Sequence, residues 1–251
     1  AKIHASEHDA GTAIVTVDQH RMDDFQPYAF MTTNYGRSWT KISDGLPQDD
    51  YIKVVRQAPI NPDLLYAGME HGIFASWDRG QSWTKINNNL PNVSVRDLRI
   101  QARDRDLIVG THGRGAWILD DIRPLQEMGN TEGKSVHLFP VRRATQWHMF
   151  WRLENLGDRH YRAKNPEYGA NINFYLAEGE KTTAEVDIMD ASGTVIRTLT
   201  DSMAQAGVNR IVWDLGHDAA TKMEGAPSSG WFSGEMHPYV SPGTYTARLK
   251  V

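Results

Sequence analysis

The chain has 251 residues, a formal net charge of −4 and 40% hydrophobic residues, which is enough apolar material for a core. Basic residues never run beyond two in a row, so the basic stripe typical of nucleic-acid-binding proteins is excluded. No stretch of about 18 apolar residues occurs, and we therefore predict no membrane span. The sequence has no Cys, which excludes disulfides, a thiol nucleophile and Cys-ligated metal.

A repeat occupies the first half of the chain. Trp39 and Trp83 both lie in the pattern G-x-S-W-T-K-I, at a spacing of 83 − 39 = 44 residues. The pair Phe30 and Phe74 repeats at the same spacing. A period near 44 residues is typical of the four-stranded blades of a β-propeller.

Short apolar runs between turn residues predict the strands of these blades. Inner strands are expected at 51–56 and 95–100, second strands at 64–68 and 107–111, and third strands at 72–76 and 115–119. An earlier, partial copy begins at 14–17. A strand at 136–141 is expected to complete the final sheet.

The segment 76–83 reads S-W-D-R-G-Q-S-W, and the segment 32–39 reads T-T-N-Y-G-R-S-W. Both resemble the Asp-box, or BNR repeat, of sialidase-like and sortilin-like propellers. Its acidic or amide residue is expected to accept hydrogen bonds from backbone N–H groups, its Gly to adopt a positive φ, and its Trp to pack between sheets. The residues expected in this structural role are Thr32, Asn34, Gly36, Trp39, Ser76, Asp78, Gly80 and Trp83.

Two further segments extend the resemblance. The pattern T-H-G-R-G-A-W-I-L-D-D at 111–121 and the pattern V-D-Q-H-R-M-D-D-F at 17–25 resemble large bacterial sortilin-like proteins of the "glycosyl hydrolase, BNR repeat" type. The resemblance implies a secreted or periplasmic protein, although no signal peptide is visible. Two or three blades do not close a ring, so the chain is expected to be the C-terminal fragment of a longer polypeptide, or to complete a ring with another chain.

The second half predicts a different β fold. Alternating strands are expected at 170–176, 184–189, 195–199, 209–214 and 243–251, which indicates a β-sandwich. The patterns A-G-V-N-R at 206–210 and P-G-T-Y at 242–245 resemble the immunoglobulin-like module of the flagellar hook-capping protein. The predicted domains are propeller blades at 1–141, an interdomain linker at 142–167 and an immunoglobulin-like sandwich at 168–251. The linker is rich in aromatic residues, namely Trp147, Phe150, Trp151 and Tyr161.

The sequence contains no complete active site. A glycosidase needs two carboxyl groups across its substrate, and no spacing selects a pair among Asp18, Asp23, Glu70 and Asp97. Arginines that could clamp a carboxylate are present at 56, 99 and 114, without the motif of sialidases. The His residues show no metal-ligand spacing, so we predict neither a metal nor a cofactor.

The expected fold is therefore all-β, with the last two to three propeller blades followed by an immunoglobulin-like sandwich. The expected function is a scaffold that binds a glycan or a peptide and whose partner is the remainder of the propeller. The alternative is part of a glycoside hydrolase whose catalytic carboxylates lie mainly on blades absent from this chain, so enzymatic activity stays open. The best candidates for binding are Glu70, His71, His112 and Arg114, in loops at the ends of strands.

Overall fold

The computed structural model describes residues 1–147, 163–177, 182–219 and 237–251. The chain divides into two compact units, Ala1–Gly129 and Asn130–Val251. Almost all of the regular structure is β-strand, and all strand pairs are antiparallel. The all-β fold class is thereby confirmed.

The first unit contains three sheets, in each of which the strands pair in chain order. The first sheet consists of β1 (Lys2–Ala5), β2 (Ala13–Val17), β3 (Tyr28–Thr32) and β4 (Thr40–Lys41). The second consists of β5 (Ile52–Gln57), β6 (Leu65–Met69), β7 (Gly72–Ser76) and β8 (Thr84–Lys85). The third consists of β9 (Val95–Gln101), β10 (Asp106–Thr111) and β11 (Ala116–Leu119).

The second sheet lies between the other two. Its strands β5, β6 and β7 are buried at every residue, because one face meets the first sheet and the opposite face meets the third. Phe74 and Val55 pack with Ile14 and Met31 of the first sheet, whereas Tyr66 joins the core shared with the third sheet. This stack of repeated antiparallel sheets is a partial β-propeller.

Helices are short. A 3₁₀ turn at His20–Met22 follows β2, the helix α1 spans Arg123–Gln126, and another 3₁₀ turn spans Met128–Thr131. Pro124 lies in the first turn of α1, where the missing N–H of a proline costs nothing.

The second unit is a β-sandwich of two three-stranded sheets. One sheet has the order β12 (Val136–Leu138), β13 (Ala170–Leu176) and β16 (Gly207–Trp213). The other has the order β15 (Val195–Ala204), β14 (Thr182–Met189) and β17 (Thr246–Lys250). Alternate residues of β13 and β14, such as Phe174 and Val186, form the core between the sheets, as period-two burial requires.

The structure differs from the strand prediction in two places. The first sheet has a strand, β1, that the sequence analysis did not predict, so the earliest copy is a full four-stranded sheet. The expectation that 136–141 completes the last propeller sheet is wrong, because β12 pairs with β13 of the sandwich. Three linker aromatics (Phe150, Trp151 and Tyr161) lie outside the described residues. The domain limits at 141 and 168 stay a prediction.

Candidate functional site

The two Trp-containing turns carry dense local hydrogen bonding. Asp78 Oδ1 accepts hydrogen bonds from the backbone N–H groups of Gln81 at 3.0 Å and Ser82 at 2.9 Å, and from the Ser76 hydroxyl at 2.7 Å. The Ser76 hydroxyl oxygen accepts a bond from the Gly80 N–H at 2.7 Å. Every one of these contacts lies within the turn.

The earlier turn follows the same plan with an amide. Asn34 Oδ1 accepts from the Ser38 N–H at 2.9 Å, and the Thr32 hydroxyl accepts from the Gly36 N–H at 3.0 Å. The glycines at 36 and 80 adopt φ values of 82° and 88°, which favour a residue without a side chain. The two tryptophans differ: Trp83 is partly buried, whereas Trp39 is 45% exposed.

Polar side chains from all three sheets meet at the strand ends opposite the two Trp-containing turns. There β2 ends, β5 begins, β6 ends and β9 begins. We name the group the strand-end cluster, and its members are Asp18, His20, Tyr51, Lys53, Glu70 and Ser94.

Lys53 is the centre of this cluster. Its side chain is only 7% exposed, and its ammonium donates a 2.6 Å hydrogen bond to Asp18 Oδ2. The same ammonium lies 4.1 Å from the centre of the Tyr51 ring, a cation–π contact. His20 contacts the other carboxylate oxygen of Asp18 and stacks on Tyr51, with ring centres 4.6 Å apart.

The carboxyl groups of the cluster are held ionised. Burial alone would raise the pKa of Asp18, but hydrogen bonds from Lys53 and His20 outweigh it and lower the pKa to about 2. Burial is likewise outweighed at Glu70, whose pKa is lowered by hydrogen bonds from Ser94 and Tyr51 and by the charges of Arg96 and Lys53. Burial, together with the hydrogen bond to Glu70, raises the pKa of Tyr51 to about 12.

Asp50 and His71 form a separate pair next to the cluster. Asp50 Oδ1 lies 3.1 Å from His71 Nδ1, and the Asp50 side chain is buried whereas His71 is half-exposed. Burial raises the pKa of Asp50, although the neighbouring His71 opposes the shift. Asp18 and Glu70 have lowered pKa values, whereas the pKa of Asp50 is raised, which favours its protonated form.

The structure distributes the predicted binding residues along this end of the sheets. Glu70 accepts a 2.6 Å bond from the Ser94 hydroxyl, and the backbone N–H of His112 donates to the carbonyl of that same serine at 2.9 Å. His71 faces Asp50, and Arg114 is exposed in the loop between β10 and β11. Glu70 is thus a member of the strand-end cluster. His71, His112 and Arg114 lie in loops at the same end of the sheets.

The other candidates from the sequence fall elsewhere. Asp97 pairs with Arg56 at 2.8 Å and with Lys2 at 3.4 Å on the innermost strands, and Arg99 is 3.8 Å from the same carboxylate. Asp23 is exposed beside the 3₁₀ turn at His20–Met22. Within the described part of the chain, no group of three or more His, Cys, Asp or Glu residues could hold a metal ion.

Sequence reasoning missed His20, Tyr51, Lys53 and Ser94, which complete the cluster. Their association depends on contacts between sheets, such as the 3.2 Å bond from the Thr16 hydroxyl to the Lys53 carbonyl, and no spacing along one strand encodes it. One signal was present, because Lys53 interrupts the apolar strand Y-I-K-V-V at 51–55. A charge at a position that a packed sheet must bury indicates a partner.

No family model matches the sequence, and no curated protein matches it. Among solved structures, an ancestral GH74 enzyme matches with a TM-score of 0.37 and 12% identity, covering 81% of this chain. The extracellular domain of a one-component system from B. thetaiotaomicron matches with a TM-score of 0.36 and 13% identity, covering 85% of this chain. The chain spans only 27% and 29% of the lengths of these two structures. In the described residues, no helix is long and apolar enough to cross a membrane.

Proposed function

We propose that this chain is the C-terminal part of a secreted or periplasmic, sortilin-like BNR-repeat propeller that binds a glycan at the strand-end cluster. One observation carries the proposal: three consecutive sheets contribute charged and hydrogen-bonding groups to a single strand-end surface. The remaining propeller sheets, in the same polypeptide or in another chain, are the expected structural partner.

A glycan suits the chemistry of this surface. Sugar hydroxyls donate hydrogen bonds, and the ionised carboxylates of Asp18 and Glu70 accept them. Phe25 lies beside Tyr51, with ring centres 6.1 Å apart, and is 44% exposed, so its ring can cover an apolar face of a sugar. Small-ligand sites combine such an apolar surface with a few fixed polar groups.

Binding is favoured over glycoside hydrolysis by the protonation states. A hydrolase needs one carboxylic acid whose pKa is raised so that it can protonate the leaving group. Asp18 and Glu70 both have lowered pKa values. Asp50 has a raised pKa, but its side chain is buried beneath His71. In the alternative, a glycoside hydrolase, the catalytic carboxylates lie mainly on blades absent from this chain.

A glycan array followed by calorimetric titration of the best hit tests the proposal with the 251-residue chain. Phe25→Ala is expected to weaken binding about tenfold, since loss of one ring contact costs about 1.4 kcal/mol. Glu70→Gln keeps the shape of the side chain but removes the charged acceptor, and we expect a similar loss.

Tyr35→Ala provides the control, because Tyr35 is an exposed aromatic residue in the turn at the far end of the first sheet. This variant should bind as the unchanged chain does. Equal losses in all three variants, or an array without a hit, would argue against the proposed site. Binding of an extended peptide library with the same dependence on Glu70 would replace glycan by peptide as the ligand.

A further inference from the structure

A cleft opens in the second unit where the two layers of the sandwich separate. β12 pairs with β13 only at residues 174–176. The Phe139 N–H adds one bond, to the Asn173 carbonyl at 3.0 Å, and the chain then leaves the sheet at Pro140, whose φ is fixed at about −65°. In the described residues, the edge of β13 that faces β12 therefore has no strand beside it at 170–172.

We name this opening the sandwich cleft, and its volume is about 650 Å³. The irregular segments 141–146 and 240–245 form its walls. Its inner surface belongs to the core of the sandwich: Ile172 and Ile188 are each 1% exposed and Trp213 is 5% exposed. A concave site of this volume with an apolar lining is typical of small-ligand binding.

The aromatic residues of the cleft have no polar atom to offer a ligand. The Trp213 indole N–H donates to the Gly216 carbonyl at 2.8 Å, and the Tyr245 hydroxyl donates to the Ser241 carbonyl at 2.6 Å. The two rings meet edge to face, with centres 5.3 Å apart. They present carbon to the cleft, so a ligand gains affinity there by burying apolar surface.

The rim of the cleft has the opposite character. Arg142 and Arg143 are exposed in one wall, and among the described residues that line the cleft none is Asp or Glu. The rim is therefore cationic above an apolar interior. A ligand with an anionic head and a hydrocarbon tail matches both parts.

We propose that the sandwich cleft binds a long-chain carboxylate. Its hydrocarbon chain lies against Ile172, Ile188 and Trp213, and its carboxylate lies beside Arg143 at the rim. The sheets of a sandwich are about 10 Å apart, so the gap left between their side chains suits one extended hydrocarbon chain. The cleft is in the second unit and the strand-end cluster in the first, so failure of this proposal leaves the glycan proposal standing.

Calorimetric titration of the 251-residue chain with dodecanoate, below its micelle concentration, tests the proposal. We expect saturable binding of one ligand per chain. Decanoate should bind about tenfold more weakly, because it buries two fewer CH₂ groups. Dodecanol should bind about fivefold more weakly, because it lacks the charge that faces Arg143. Methyl NMR spectra should show shifts at Ile172 and Ile188 when dodecanoate is added.

Matched variants test the head group. Arg143→Gln should weaken dodecanoate binding about fivefold and leave dodecanol binding unchanged. Lys134→Gln is the control, because Lys134 is exposed before β12 whereas the cleft follows it. It should alter neither affinity. Absence of saturable binding, or binding without shifts at Ile172 and Ile188, overturns the site. Equal affinities for dodecanoate and dodecanol overturn the carboxylate assignment.

Discussion

Lys53 shows how a single charge can be tolerated within a packed propeller sheet. It lies on β5, a strand buried along its whole length, where an unpaired ammonium group would cost several kcal/mol. Asp18 supplies the opposite charge from the neighbouring sheet, and the Tyr51 ring covers the remaining face of the ammonium. The pair therefore connects the first and second sheets at the strand-end cluster.

Asp18→Asn is expected to lower the free energy of unfolding of the first unit by about 3 kcal/mol at pH 7, because it leaves Lys53 buried without its charge partner. Denaturant unfolding measures the loss. The double variant Asp18→Asn, Lys53→Met removes both charges and should recover most of the stability. If the double variant is as unstable as the single one, the unpaired charge is not the cause.

At the scale of the element, the Trp-containing turn is a self-contained hydrogen-bonded unit. The carboxylate of Asp78 accepts bonds from two backbone N–H groups and two hydroxyls, and it holds the strands β7 and β8 in register. Burial opposes ionisation there, but the hydrogen bonds from Ser82 and Ser76 lower the pKa of Asp78. Asn34 performs the same function in the first sheet with a neutral acceptor.

Asp78→Ala should cost about 1 kcal/mol, because the turn loses the acceptor of its hydrogen bonds while its exposed backbone donors can bind water instead. Asn34→Asp should instead stabilise the first turn by about 0.5 kcal/mol, since a charged acceptor forms the stronger bond to the Ser38 N–H. Thermal unfolding of both variants provides the comparison. A destabilised Asn34→Asp variant would mean that the 2.8 Å bond from the Asn34 amide to the Ser38 hydroxyl matters more than charge.

The repeat made most strands of the first unit predictable, because Trp39 and Trp83 fixed the period and turn residues marked the ends. It failed where sequence offers no landmark. The strand β1 has four residues, alternately polar and apolar, and lies before the first recognisable repeat. The segment 136–138, with the sequence Val-His-Leu, is a short strand in either context, and only its pairing with β13, distant in sequence, assigns it to the sandwich.

The site was less predictable than the fold, for a related reason. Glu70 was a candidate because it follows a strand in a loop. Its hydrogen-bond partners, Ser94 and Tyr51, lie on the two chain segments that precede the inner strands of different sheets. Residues of the strand-end cluster become neighbours because the sheets stack on one another. In the sequence, that stacking is visible only as a period of 44 residues.

Across the whole molecule, each unit has its own core and its own carboxyl group with a strongly lowered pKa. In the second unit, Asp187 lies on β14 and is buried between Lys250 at 2.6 Å and Arg248 at 2.7 Å. Hydrogen bonds from Lys250 and Arg248 lower its pKa to about 2. The first unit has the corresponding group in Asp18, whose pKa is also about 2.

These two groups predict the acid sensitivity of both units. A carboxyl whose pKa is about 2 in the fold and about 3.9 in the unfolded chain contributes stability above pH 4. That contribution is lost as the pH falls towards 2. Asp187→Asn should therefore be less stable than the unchanged chain at neutral pH, and the difference should shrink as the pH falls from about 4 to 2. A difference that is independent of pH contradicts the assigned pKa.

The tight closure of the second turn on Ile42 has a consequence for how such proteins change in length. The Trp83 indole N–H donates to the Ile42 carbonyl at 2.9 Å, and a Cβ added to Gly80 would lie 2.7 Å from Ile42, so the second turn binds the end of the preceding sheet. Inserting one complete 44-residue period (83 − 39 = 44) between the first and second sheets would provide the inserted turn and the second turn with one such carbonyl each. A deletion of half a period would instead leave one Trp without a carbonyl to which its indole N–H can donate.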